Sequence, residues 1–217
     1  MKFKIGNELL KDIEMTVDMD VPVVLMGDNA SGKTTIMKNL CGICIPKKGY
    51  IEYDEKNAFT YPIPFIKYLK WKRYINSNVL YFESADFLEQ KISINENISY
   101  YGRLMKADKE SVKSYLKKMN FEEAFDKPVS VLSDGSKQKV ALSLVFSTDK
   151  KIILLDEPEK HLDKISVSEL YDILKKMRGK CVLFSSHGTP ESLKDFSICK
   201  IVRNKEGVII SDNSRTI

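Results

Sequence analysis

Apolar positions along this chain fall into two rhythms. Residues 2–19 alternate loosely between apolar and polar, the period-two pattern of antiparallel strands. Residues 21–26 and 152–155 are short apolar runs, which read as strands buried on both faces of a parallel sheet. Strand character returns at 50–53 and at 181–184. Elsewhere the spacing widens to three and four. Ile36, Met37 and Leu40 give an inward face to a helix over 33–44. Ile98, Tyr101, Leu104 and Met105, then Val112, Tyr115, Leu116 and Met119, mark helices in the middle of the chain. Val140, Leu144 and Val145 mark another, and Leu170, Ile173, Leu174 and Met177 a further one. Strand–helix alternation at both ends predicts an α/β fold, a parallel sheet covered by helices. The helical middle, about 85–145, reads as a lobe inserted in a single domain over 1–217.

The strongest local signal lies between the first buried strand and the helix after it. Gly27-Asp28-Asn29-Ala30-Ser31-Gly32-Lys33-Thr34-Thr35 fits G-x-x-x-x-G-K-[ST] in full. Small residues let the backbone curl so that its N–H groups face phosphate oxygens, and the helix start adds its positive dipole end. Lys33 suits the β- and γ-phosphates, and the Thr34 hydroxyl suits Mg²⁺. By itself this loop leaves a kinase, a GTPase and a transport ATPase open. Asp156 and Glu157 supply a second signal at the end of the run at 152–155, where α/β sheets bind ligands. Asp156 there suits Mg²⁺ held through water, and Glu157 suits polarising an attacking water.

Between these motifs stands Leu132-Ser133-Asp134-Gly135-Ser136-Lys137-Gln138, followed by a basic, apolar helix. It resembles the signature segment of ABC (ATP-binding cassette) ATPases, usually L-S-G-G-Q. Leu162-Asp163 resembles the D-loop of that family, and Ser185-Ser186-His187 its switch histidine. Gly49-Tyr50-Ile51 resembles the strand after its first helix, and Ile94-Asn95-Glu96-Asn97-Ile98 the entry to its helical lobe. The resemblance runs in order over nearly the whole chain. It implies the ABC fold of phosphate-loop NTPases: a core mixed sheet with flanking helices, an antiparallel part at the N-terminus and an inserted helical lobe.

The same resemblance implies an ATP-hydrolysing subunit of a membrane transporter, with ATP and Mg²⁺ as ligands. Lys33, Glu157 and His187 would be catalytic, residues 27–35 would cradle the phosphates, and Thr34 and Asp156 would hold the metal. Ser133 and Gly135 would reach the γ-phosphate bound to a second ATPase subunit, in a homodimer or a heterodimer. Separate transmembrane permease subunits would be the other partners, with this chain peripheral on the cytoplasmic face of the membrane. Export is expected over import, because no appended regulatory domain is visible. The alternative is a soluble ABC ATPase acting on nucleic acid or the ribosome. Such proteins usually carry a coiled coil, a second cassette or a basic arm.

Several positions depart from the family pattern. Asp134 replaces the first signature glycine, and Ser136 the glutamine. A carboxylate near a γ-phosphate is repulsive unless it points away or meets a cation such as Lys137 or Lys139. Tyr81-Phe82-Glu83-Ser84 occupies the region of the usual Q-loop glutamine, leaving Glu83 as a water-mediated Mg²⁺ ligand or Ser84 in its place. The usual adenine-stacking tyrosine is missing; Phe3 is the nearest aromatic, and Ile5 the other candidate. Lys160 and His161 fill D-loop positions that are usually small.

Composition adds three constraints. The net charge of +5 comes from 35 Lys and Arg against 30 Asp and Glu. The lysines are interleaved with acids, as at 106–110, which reads as solvated helix faces and not as a nucleic-acid footprint. No apolar run approaches the ~18–20 residues of a membrane span, and the first six residues lack the apolar core of a signal peptide, so a cytoplasmic location is expected. Cys41 and Cys44 have C-x-x-C spacing but end an apolar helix pattern, and read as packing residues and not as a zinc site.

Overall fold

The computed structural model describes residues 1–6, 10, 13–54, 57–189, 191–204 and 207–212. The chain forms two compact units. The first comprises Met1–Tyr81, Lys151–Glu157 and Met177–Ile217, and the second Phe82–Lys150 and Pro158–Lys176.

The first unit holds two sheets. β1 (Lys2–Gly6), β2 (Ile13–Thr16), β4 (Lys48–Asp54) and β5 (Asn57–Thr60) form an antiparallel sheet in the order β2-β1-β4-β5. The second sheet is mixed, in the order β10-β9-β3-β8-β7-β6. Its members are β3 (Val23–Met26), β6 (Val79–Phe82), β7 (Ile152–Leu155), β8 (Cys181–Ser186), β9 (Ser197–Asn204) and β10 (Gly207–Asp212). β9, β3, β8 and β7 pair in parallel, while β10 returns antiparallel to β9. The register aligns Met26 with Ser186 and Leu155 with Phe184. Parallel pairing therefore brings the C-terminal ends of β3, β7 and β8 to one edge, and the residues just beyond them become neighbours.

α1 (Lys33–Leu40) puts Ile36, Met37 and Leu40 into a core with Phe3, Ile5 and Phe59, all fully buried. This helix stops four residues before the predicted end. The Cys41 N–H closes on the Met37 carbonyl, and Gly42 turns the chain away at φ 69°. Cys41 is consequently buried, but Cys44 is exposed and packs no core. α2 (Phe65–Asn78) lies in a stretch whose periodicity predicts no element, because only Trp71 and Ile75 point fully inward. Trp71 anchors it against Phe59, with ring centroids 4.7 Å apart.

The second unit is helical: α3 (Ile94–Met105), α4 (Lys109–Lys118), α5 (Asp134–Phe146) and α6 (Lys164–Lys176). α3 opens with a capping box, in which the Glu96 N–H donates to Ser93 Oγ and the Ser93 N–H to Glu96 Oε2. Its buried face is Ile94, Asn97, Ile98 and Gly102, so Leu104, read as inward from spacing, lies exposed. No helix among the described residues is long and apolar enough to cross a membrane.

α6 starts at a strong cap. The Ser166 N–H and hydroxyl donate to the two Asp163 carboxylate oxygens at 2.9 and 2.8 Å, and these bonds hold the carboxyl pKa down to about 2. Its folded value is depressed, so the stabilisation is complete above the unfolded value of about 4 and is lost as pH falls toward 2. Asp163→Ala should cost about 1 kcal/mol in urea unfolding at neutral pH. The gap to wild type should narrow as the buffer is acidified below about 4; a gap independent of pH would contradict this role.

Candidate functional site

β3 delivers the chain into the loop at Gly27. A Cβ on Gly27 would collide with the Ile201 carbonyl and lie 2.8 Å from Ser31 Oγ, so β9 and the loop can close together only at a glycine. Gly32, at φ 103°, is the residue from which α1 springs. Lys33 is buried to 5% exposure and donates to the Gly27 carbonyl at 2.6 Å and the Asp28 carbonyl at 3.0 Å. The ammonium thus spans the loop mouth. Ser31 Oγ is buried with no hydrogen-bond partner among the described residues. Such an orphan costs roughly 1–3 kcal/mol, which an oxygen bound in the loop would recover.

Beside the loop, the strand ends assemble one network. Thr34 Oγ1 donates to Asp156 Oδ2 at 2.6 Å, and the Tyr81 hydroxyl donates to the same oxygen at 3.3 Å. Ser185 Oγ donates to Asp156 Oδ1 at 2.6 Å and accepts from the Glu157 N–H at 2.9 Å. Ser185 therefore fixes both acids at once. Glu157 is held at φ 48°, a left-handed conformation that costs a non-glycine residue about 1–3 kcal/mol and persists only where its surroundings fix it. Its Oε1 lies 2.9 Å from His187 Nε2, with both side chains half-exposed. Residues 29–35, Glu157, Arg203 and Val208 line a pocket of about 260 Å³.

These groups fit a magnesium-bound polyphosphate. The Thr34 hydroxyl and Asp156 carboxylate are hard oxygen donors, 2.6 Å apart. No group of three or more His, Cys, Asp or Glu able to hold a metal occurs among the described residues. Mg²⁺ suits that arrangement, since it commonly keeps waters and substrate oxygens in its shell. Lys33 would exchange neutral carbonyl partners for anionic ones, and charge-assisted bonds are about twice as strong.

The loop 27–35, Asp156, Glu157 and His187 thus converge in the first unit. Phe3 does not join them. It is fully buried in β1, opposite Met15 and Ile51, and offers no ring face to a base; Ile5 is equally buried. The alternation that makes β1 a strand turns both residues inward. Glu83 belongs to the second unit, where it lines a cleft of about 410 Å³ with Ser84, Asp134, Lys137, Lys160 and His161.

In that unit Ser133 caps α5, accepting from the Ser136 N–H at 3.1 Å. Gly135 packs against the chain at His161, whose carbonyl a Cβ would approach to 2.8 Å. The Asp134 carboxylate is largely exposed and lies 3.7 Å from Lys137 Nζ; Lys139 pairs with Asp163 instead. Gln138 Nε2 donates to the Pro158 carbonyl at 3.0 Å, tying the start of α5 to the segment after the acidic pair.

Three residues of the first unit escape sequence reasoning. Ser185 enters the sequence reading only as part of the segment leading to His187, Tyr81 only as part of the stretch around the missing Q-loop glutamine, and Arg203 not at all. Only strand order brings them to the loop. Ser185→Ala would leave the Glu157 N–H without its acceptor and Asp156 Oδ1 without the Ser185 donor. It should lower the unfolding free energy by about 1–3 kcal/mol, read from the urea midpoint. An unchanged midpoint would show that the bridge is dispensable.

Comparison with known proteins identifies the family and the fold. A family model described as ABC transporter matches residues 10–160. The energy-coupling factor transporter ATP-binding protein EcfA3 of Clostridium perfringens is 29% identical over 191 residues, covering 84% of this chain; the chain spans 64% of that protein's length. The ribose import ATP-binding protein RbsA of Clostridium tetani is 28% identical over 209 residues, covering 91% of this chain and 39% of that protein. Among solved structures, a dimeric ATP-binding cassette in a post-hydrolysis state with ADP and Pi matches at a TM-score of 0.75 and 19% identity, over 98% of this chain and 97% of the other. At that identity it supports the fold alone.

Proposed function

Because this chain belongs to the ABC transporter family, we propose that it is the ATP-binding and ATP-hydrolysing subunit of a membrane transporter. The observation that carries this reading is the network joining Thr34, Asp156, Ser185, Glu157 and His187 beside the buried Lys33. In the reaction, water attacks the γ-phosphorus, the bond to the β–γ bridging oxygen breaks, and ADP and phosphate leave. Lys33 and the loop N–H groups hold the phosphates. Thr34 and Asp156 would hold Mg²⁺, which offsets the phosphate charge. Glu157 orients the water and takes its proton, and His187 keeps the Glu157 carboxylate pointed at the pocket.

The partners follow from the same reading. Separate transmembrane subunits would use the cycle, and a second ATPase subunit would meet Ser133 and Gly135 at the start of α5. Asp134 is offset by Lys137, so a homodimer and a heterodimer both remain compatible with this segment. The location proposed is peripheral, on the cytoplasmic face of the membrane. Uptake is the direction we carry forward: a ribose import protein stands among the similar proteins, and the expectation of export gains no support. Glu83 stays proposed as a water-mediated metal contact.

Glu157→Gln should retain ATP binding and lose hydrolysis on the order of 100-fold or more, measured as phosphate release. Lys33→Ala should weaken ATP binding roughly ten-fold or more by calorimetric titration. Phosphate release unaffected by Glu157→Gln would remove the acid from the mechanism, and transfer of phosphate to a small acceptor would favour a kinase.

A further inference from the structure

α2 carries a second apolar stripe that its own unit does not cover. One face packs inward through Trp71 and Ile75. At 100° per residue, Phe65, Ile66 and Leu69 fall on the opposite face. They are 73%, 70% and 50% exposed, and Tyr61, just before the helix, is 47% exposed. Around them Lys67, Lys70 and Arg73 project into solvent with no hydrogen bond or ion pair among the described residues. No Asp or Glu occurs anywhere from 57 through 82. Unlike 106–110, where lysines alternate with acids, this segment carries cations alone, as 29–51 also does.

We propose that this face of α2 is an anionic-lipid contact, laying Phe65, Ile66 and Leu69 into the headgroup boundary of a negatively charged membrane while Lys67, Lys70 and Arg73 meet lipid phosphates. Two observations select a membrane over a protein. The charge on the face is of one sign, which complements an anionic surface. Bulky apolar side chains and cations together on the exposed side of a helix are the pattern of helices that lie in a membrane interface. A lipid surface asks for no matching shape. The contact is built wholly within the first unit and does not depend on the nucleotide reading. It would give the chain a hold on the membrane of its own, besides any through transmembrane subunits.

Co-sedimentation of the full chain with vesicles tests this directly. The chain should pellet with vesicles of phosphatidylglycerol and phosphatidylcholine, stay in solution with pure phosphatidylcholine, and detach as salt is raised. Phe65→Ser combined with Ile66→Ser should lower the partition at least about five-fold at low salt. Lys67→Gln with Lys70→Gln and Arg73→Gln should remove the preference for anionic lipid. These side chains are exposed, and an unchanged thermal midpoint verifies folding of each variant. Equal binding to neutral vesicles, or full binding by either variant, overturns the proposal. So does a wild-type chain that stays in solution with both vesicle types, the result expected if an acidic protein is the true partner.

Discussion

Asp156 holds the site together. It is buried at the end of a fully buried strand, and its two oxygens accept from Thr34, Tyr81 and Ser185. A lone buried carboxylate would be expensive, and hydrogen bonding to the charged form is what makes one tolerable. Those three donors come from α1, β6 and β8, so one carboxylate ties the start of the phosphate-loop helix to two neighbouring strands. Ser185 extends the tie to the backbone of Glu157 and fixes where the second acid begins. The left-handed Glu157 conformation and the approach of His187 then set where its carboxylate points.

The phosphate loop depends on a different constraint, the closeness of its backbone to β9. Gly27 exists because no Cβ fits beneath the Ile201 carbonyl, and that approach lets the loop curl tightly enough to bury Lys33. The lysine is meanwhile satisfied by the loop's own carbonyls. It stands ready at the loop mouth, while Ser31 Oγ waits for a partner. A ligand oxygen that satisfied both would gain without any large movement of the chain.

Much of this was legible in the chain itself. The loop 27–35 is contiguous, so its chemistry survives in one dimension, and Asp156-Glu157 advertises itself by ending an apolar run. His187 follows another such run. Ser185, Tyr81 and Arg203 gave no such notice, because their roles come from strand order, which spacing does not encode. Phe3 is no base contact for a related reason: its aromatic character shows in the sequence, but the alternation of β1 turns the ring into the core. α2 went unseen because half of its apolar residues face outward, which blurs the helical period.

The central claim is that a triphosphate seats on Lys33 with its terminal group facing Asp156 and Glu157. A crystal structure of the chain with magnesium and a non-hydrolysable ATP analogue tests it most directly. β- and γ-phosphate oxygens should lie within hydrogen-bond reach of Lys33 Nζ, with a metal bound by Thr34 Oγ1 beside Asp156. Nucleotide density seated elsewhere, with Lys33 still on the Gly27 carbonyl, would contradict it.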